Sequence, residues 1–137
     1  MPLLKLTDGQ AKVSSDQEPV WKTLEEWQAG DALELTVDAE PETAHLSASA
    51  IAIRFPAFND GRGLSLAVLL RQRFGYEGEL FAIGEVQEDI LHYMRRCGFD
   101  AFVLADDTDI DIALAQMKPY TGHYQGSVID PQPRFAR

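Results

Sequence analysis

Apolar residues between positions 49 and 117 follow two different periods that alternate along the chain. Short apolar runs bounded by glycine or proline, typical of buried strands, lie at 49–55, 79–83 and 99–104. After each run, apolar residues recur at the spacing of one helix face, which predicts helices over 64–74, 86–97 and 108–117. Strands that alternate with helices form a parallel sheet, so the sequence predicts an α/β fold of successive βα units, similar to part of an α/β barrel.

The amino-terminal third has a different pattern. Leu3 to Val13 predicts a hairpin, because Asp8-Gly9 separates two apolar runs and is a strong turn signal. Residues 33–37 alternate as in a half-buried strand. Trp21, Leu24 and Trp27 recur at a spacing of three, which predicts one face of a short helix. We therefore expect one domain over 1–137, with the hairpin and short helix in 1–31 and an irregular tail over 120–137.

Polar residues follow the predicted strands. In a parallel sheet the loops after the strands share one edge, so side chains far apart in sequence converge there. The candidate ligand-binding residues at this edge are Asn59, Asp60, Arg62, Ser65, Glu85 and Asp89.

The loop 59–65 favours an anionic ligand. Its two glycines allow the backbone to approach a ligand, the following helix begins with free N–H groups, and Arg62 is a forked donor. A sulfite, sulfate or phosphate group fits this chemistry, although the loop matches neither common phosphate-binding motif. The alternative is structural: Asp60 or Ser65 caps the helix, and Arg62 pairs with a nearby acid.

Glu85 and Asp89 allow a second reading. They lie four residues apart, so a helical turn would place both at one helix start, and with Asp60 they could hold Mg²⁺ or a cationic group. The alternative is that these acids complement the helix dipole, which is the more common role of acids in a first turn. We assign no metal site. One acid of the run between Asp106 and Asp111 is expected to cap the last helix.

Composition excludes several functions. The net charge is −10, which opposes binding to nucleic acid, and there is no apolar run long enough to span a membrane. The single cysteine, Cys97, cannot form a disulfide within the chain or ligate an iron–sulfur cluster, and its position predicts that it packs in the core. We expect a soluble cytoplasmic protein without a bound cofactor.

Two patterns carry a family resemblance. The run FPAFNDGRGLSLAVLLR and the later RRCGFDAF resemble an uncharacterised bacterial family that is often encoded beside assimilatory sulfite reductase and is often labelled an oxidoreductase probably involved in sulfite reduction. The chain departs from the family at Phe81, where arginine is usual, and at Ile90, where glutamine is usual. If that arginine helps to bind an anion, its absence weakens the anion reading.

The resemblance implies a role in sulfur assimilation but assigns no catalytic residue. No flavin, nicotinamide or haem motif accompanies it, so we expect a non-redox accessory or binding protein of sulfite reduction, with sulfite reductase or another sulfur-assimilation protein as partner. The alternative is an enzyme of unknown reaction with an anion- or metal-binding site at the strand ends. We also expect a homodimer, because Trp21 and Trp27 share one face of the predicted helix and because three helices would leave an apolar patch on the sheet that a second copy could bury.

Overall fold

The computed structural model describes residues 2–7, 10–57 and 60–117. Six strands form one open sheet in the order β2-β1-β6-β5-β4-β3. The strands are β1 (Leu3–Thr7), β2 (Gln10–Ser14), β3 (Leu33–Thr36), β4 (Ala50–Phe55), β5 (Glu79–Gly84) and β6 (Ala101–Val103). Strands β3 to β6 are parallel, whereas β1 is antiparallel to both β2 and β6. The predicted mainly parallel sheet and amino-terminal hairpin are confirmed, and the predicted turn at Asp8-Gly9 lies outside the described residues.

The helices follow the strands in the predicted order. They are α1 (Gly61–Val68), which continues into a π-helical turn at Leu69–Arg73, α2 (Leu91–Cys97) and α3 (Ile110–Gln116), with shorter 3₁₀ turns at Thr43–Ser47 and Glu88–Ile90. Asp109 caps α3 by accepting from the backbone N–H groups of Asp111 and Ile112, as expected for one acid of that run. Helix α2 begins later than predicted, because residues 86 and 87 are not helical.

The main core lies between the three helices and one face of the sheet. Phe55, Phe99 and Phe102 are among its largest fully buried side chains. Cys97 packs against this core and is partly buried, as its position predicted. Burial raises the pKa of its thiol above the ordinary value, which disfavours the reactive thiolate.

The opposite face of the sheet carries a smaller apolar cluster, covered in part by residues 15–32, which we call the crossing segment. This segment connects β2 and β3, the two edge strands, so it has to traverse the whole sheet. Along its path Asp16 pairs with Lys5 of β1 at 3.3 Å, and the ring of Trp21 packs edge-on against Phe81 of β5 at 4.9 Å. The segment then joins β3, where Lys22 forms a parallel bridge with Leu33.

The predicted tryptophan helix is wrong. The backbone N–H of Lys22 donates to Ala32 O, and Lys22 O accepts from Glu34 N–H, so the chain pairs with the sheet edge at this point. After it, the N–H of Trp27 donates to Thr23 O in a single turn that does not continue as a helix. Trp21 belongs to the smaller cluster, whereas Trp27 packs against the main core with its ring 5.4 Å from that of His45. The two tryptophans do not share a face, so this one ground for the expected homodimer does not hold.

Candidate functional site

An open groove of about 470 Å³ lies at the carboxyl edge of strands β3, β4 and β5. This is the edge at which the sequence predicted a site, and a groove of this volume is in the range of small-molecule sites. It is lined by Thr36, Val37, Asp38, Arg54, Phe55, Pro56, Arg62, Gly84 and Glu85.

The turn after β5 brings Glu85 to the groove. Gly84 has a φ of +87°, which L side chains rarely adopt, and a Cβ there would lie 2.5 Å from the carbonyl oxygen of Phe55. That carbonyl accepts a hydrogen bond of 2.9 Å from the Glu85 backbone N–H. Glycine at position 84 therefore allows the chain to turn tightly over the end of β4.

Asp60 fixes Arg62. One oxygen of Asp60 caps α1 by accepting from the Arg62 backbone N–H at 3.0 Å and also accepts from Arg62 Nε at 3.0 Å. Its other oxygen accepts from Arg62 Nη2 at 2.7 Å. The structural reading of this loop is thus correct for both residues. These bonds hold the pKa of Asp60 below its ordinary value, and Arg62 remains charged with its side chain 61% exposed.

Arg54 is held in the same way at the end of β4. Its Nε donates to Glu34 at 2.7 Å and its Nη2 donates to the other oxygen of the same carboxylate at 3.2 Å. The hydrogen bond to Glu34 raises the pKa of Arg54. The sequence prediction missed Arg54 as a site residue, and the available signal was a lone charge in an otherwise apolar strand.

The two arginines present equivalent atoms. In each, a carboxylate occupies the Nε and Nη2 side of the guanidinium, so the Nη1 donors have no partner among the described residues. A guanidinium held by a bidentate carboxylate has a fixed orientation, and less side-chain entropy is lost when a ligand binds. The groove therefore offers two preoriented donors.

Two carboxylates also line the groove. Asp38 accepts a hydrogen bond of 2.6 Å from Thr36 Oγ1, and this bond lowers the pKa of Asp38. Glu85 is exposed and forms no side-chain hydrogen bond or ion pair with any residue that the structure describes. Both carboxylates are thus available as acceptors for a ligand.

The remaining predicted residues have other positions. Ser65 is exposed on α1 and Asp89 is exposed in the 3₁₀ turn, and neither lines the groove. Asn59 lies outside the described residues. Of the predicted residues that the structure describes, Arg62 and Glu85 line the groove, and Asp60 lies next to it as the partner of Arg62.

The three-carboxylate arrangement of Asp60, Glu85 and Asp89 does not form. Within residues 2–7, 10–57 and 60–117, no three His, Cys, Asp or Glu side chains are grouped as metal ligands would be. Asp60 is occupied by Arg62, and residues 86 and 87 are not helical, so the four-residue spacing does not place Glu85 beside Asp89.

The departure at Phe81 lies away from the groove. Its side chain is fully buried in the middle of β5, beneath Trp21 on the opposite face of the sheet from the helices. Ile90, the second departure, packs against the main core. Neither of these two departures from the family lies at a residue that lines the groove.

Comparison with known proteins identifies the family. The model of a family described as "Bacterial protein of unknown function (DUF934)" matches residues 32–135, which include every residue that lines the groove. The chain belongs to this family. No curated protein and no solved structure matches the chain.

Within the matched region, the run RRCGFD stabilises the opposite edge of the sheet from the groove. Arg95 Nη1 donates to Met117 O at 2.6 Å, and Gly98 ends α2 with a φ of +115°. Asp100 accepts from the Leu80 backbone N–H at 2.7 Å. These contacts give the run a structural role and leave the groove as the candidate site.

Arg71 joins the elements at that same edge. Its guanidinium donates to the carbonyl oxygens of Tyr76, Gly78 and Gly98 at 2.8 to 3.0 Å, and reaches Asp100 at 3.4 Å.

No helix in the described part of the chain combines the length and apolar character that crossing a membrane requires.

Proposed function

We propose that this protein is a non-redox accessory or binding protein of sulfite reduction in the cytoplasm, and that it binds a small ligand through an anionic group in the groove. The observation that carries the proposal is the pair of guanidinium groups, Arg54 and Arg62, each held by its own carboxylate with Nη1 unoccupied. The family resemblance supports the assignment to sulfite reduction, and the geometry of the two arginines supports the binding of an anionic group.

The groove favours a ligand larger than an inorganic anion. A sulfite ion is much smaller than a volume of about 470 Å³, and the exposed Pro56 contributes apolar surface beside the charged groups. An anionic group carried on a larger molecule uses both kinds of surface. The partly buried thiol of Cys97, whose pKa is raised, supports a role without redox chemistry.

Binding is tested by calorimetry and thermal shift with sulfite, sulfate, phosphate and a set of small organic carboxylates. We expect at least one of the carboxylates to bind more tightly than the inorganic anions, and Arg62→Ala to weaken that binding by about tenfold or more, because a charge-assisted hydrogen bond is lost. Arg54→Ala should act in the same direction.

Arg73→Ala is the matched control, because Arg73 is exposed at the end of the π-helical turn, outside the groove, and its removal changes the net charge equally. Equal losses in Arg62→Ala and Arg73→Ala would show that binding follows overall charge and not the groove. Absence of binding by every anion would contradict ligand capture at this site.

The pathway is tested separately by affinity purification from cells grown on sulfate as the sulfur source. We expect enrichment of sulfite reductase or another protein of sulfur assimilation, compared with cells grown on cysteine. If a ligand binds in the groove but no such partner is enriched, the proposed binding function stands and the accessory role is contradicted.

A further inference from the structure

The carboxylates around the groove, together with the two arginines, restrict the charge of the ligand that it can bind. Asp38 and Glu85 line the groove together with Arg54 and Arg62. The carboxylates that hold the arginines are those of Glu34 and Asp60. Four carboxylates therefore stand against two guanidinium groups in the same neighbourhood.

This balance opposes a simple anion. An inorganic dianion at either Nη1 would be attracted by one arginine and repelled by the surrounding carboxylates, which already neutralise that arginine. A simple cation would be attracted by Asp38 and Glu85, but it would leave the Nη1 donors of Arg54 and Arg62 without an acceptor. A ligand that carries one group of each sign can satisfy both kinds of side chain without adding net charge to the site.

The positions of the carboxylates support the same ligand class. Thr36 Oγ1 donates to Oδ1 of Asp38, and no other side-chain donor is bonded to this carboxylate within the described residues. Glu85 has no side-chain partner there at all. Arg62 and Asp38 both line the groove, so it offers a donor and an acceptor to the same ligand.

We infer that the groove binds a zwitterionic ligand of the α-amino acid class, with its carboxylate at Arg62, its ammonium group at Asp38 or Glu85, and an apolar side chain against the exposed ring of Pro56. This inference rests on the proposed function, since it names the ligand class of the same groove. An α-amino acid has both charged groups on neighbouring atoms and a third substituent, which matches the three kinds of surface.

The experiment first measures binding of the apolar L-amino acids, including L-leucine, L-methionine and L-phenylalanine, to the full chain by calorimetry. The tightest binder is then compared with its deaminated carboxylate and its decarboxylated amine; for leucine these are isocaproate and isoamylamine. We expect each analogue to bind about tenfold more weakly or worse, because each lacks one charge-assisted contact.

Variants assign the two contacts. The double variant Asp38→Asn, Glu85→Gln should lose the preference for the amino acid over its deaminated analogue, while Arg62→Ala should lose the preference over the amine. Glu77→Gln is the control, because Glu77 is exposed, lies before β5 and does not line the groove, and it removes a carboxylate elsewhere. Circular dichroism confirms that each variant is folded.

The outcomes separate this inference from the proposed function. If isocaproate binds as tightly as leucine and both are lost in Arg62→Ala, the amino acid class is wrong and anion binding stands. If sulfite or sulfate binds and no amino acid does, the inference is also overturned. If no compound binds, both proposals fail.

Discussion

Gly63 of α1 lies against the ring of Phe55 in β4 so closely that a Cβ at position 63 would be 2.5 Å from Cζ of that ring. The contact sets how near the start of α1 comes to the end of β4. Arg62 precedes Gly63 and Arg54 precedes Phe55, so this contact joins the residues next to the two arginines that line the groove.

We expect Gly63→Ala to lower the free energy of unfolding by about 1–3 kcal/mol, because the added methyl group forces the buried ring or the helix to move. Urea denaturation measures the change. Gly61→Ala is the control in the same helix, since no atom lies within 4 Å of a Cβ there, and it should be neutral or stabilising. Similar losses in the two variants would show that a backbone requirement for glycine at the start of the helix, and not contact with Phe55, is responsible.

Arg71→Ala should destabilise the protein by about 2–4 kcal/mol, because three carbonyl oxygens and the Asp100 carboxylate lose a partly buried donor. Arg71→Lys should have an intermediate effect, since an ammonium group cannot reproduce the planar fork. Arg73→Ala, two residues later and exposed, should change stability little. Urea denaturation measures these changes. An equal denaturation midpoint for Arg71→Ala and Arg73→Ala would contradict the structural role of the Arg71 guanidinium.

Tyr76 should make the protein sensitive to alkali. Its buried hydroxyl donates to Ala48 O at 3.1 Å, and burial raises its pKa from 10.0 to about 12. The pKa of Tyr76 is higher in the folded state than in the unfolded state. Its contribution to the free energy of unfolding is therefore complete below pH 10.0 and is lost as the pH rises toward about 12. Urea denaturation over this range should show a steeper fall for the wild type than for Tyr76→Phe. Tyr93→Phe, at a side chain 58% exposed, should retain the wild-type slope.

Asp60 should make the amino end of α1 sensitive to acid. Its pKa is lowered in the folded state, mainly by the hydrogen bond from the Arg62 side chain, so its contribution to stability is present above the ordinary value of 3.8 and is lost as the pH falls below it. Asp60→Asn keeps an oxygen that can cap the helix but removes the charge. We expect the wild type to be more stable than this variant at neutral pH, and the two to converge in acid. A constant difference at every pH would show that the charge is not involved.

The strand pattern was sufficient to predict the sheet because buried parallel strands are short apolar runs with little competing periodicity. The run 49–55 became β4, with residues 50–53 buried from both sides, and 79–83 became β5. The order of the strands could not be predicted from the apolar runs, since it depends on contacts between residues distant in sequence. For example, β6 lies between β1 and β5 in the sheet, although β1 begins the chain.

Local spacing failed where backbone pairing decided the conformation. The spacing of Trp21 and Trp27 fits a helix, but Lys22 forms hydrogen bonds with the edge of β3 instead. Similarly, Glu85 precedes a non-helical stretch because its N–H donates to Phe55 O. A groove lies at the edge where the sequence predicted a site, and two of the predicted residues, Arg62 and Glu85, line it. Arg54 and Asp38 also line it but were not predicted, because their position there depends on how β3 and β4 end side by side.

The position of β6 also determines the order in which the sheet can be completed during synthesis. The hairpin of β1 and β2 is made first, but its only other neighbour in the described sheet is β6, which ends at Val103. Until the ribosome has released that strand, the hairpin has no edge to join, and the crossing segment has no complete surface beneath it. The first strands to be synthesised can therefore join the parallel strands only after β6 is available, and a nascent chain that ends before β6 would expose the edge of β5 to other chains.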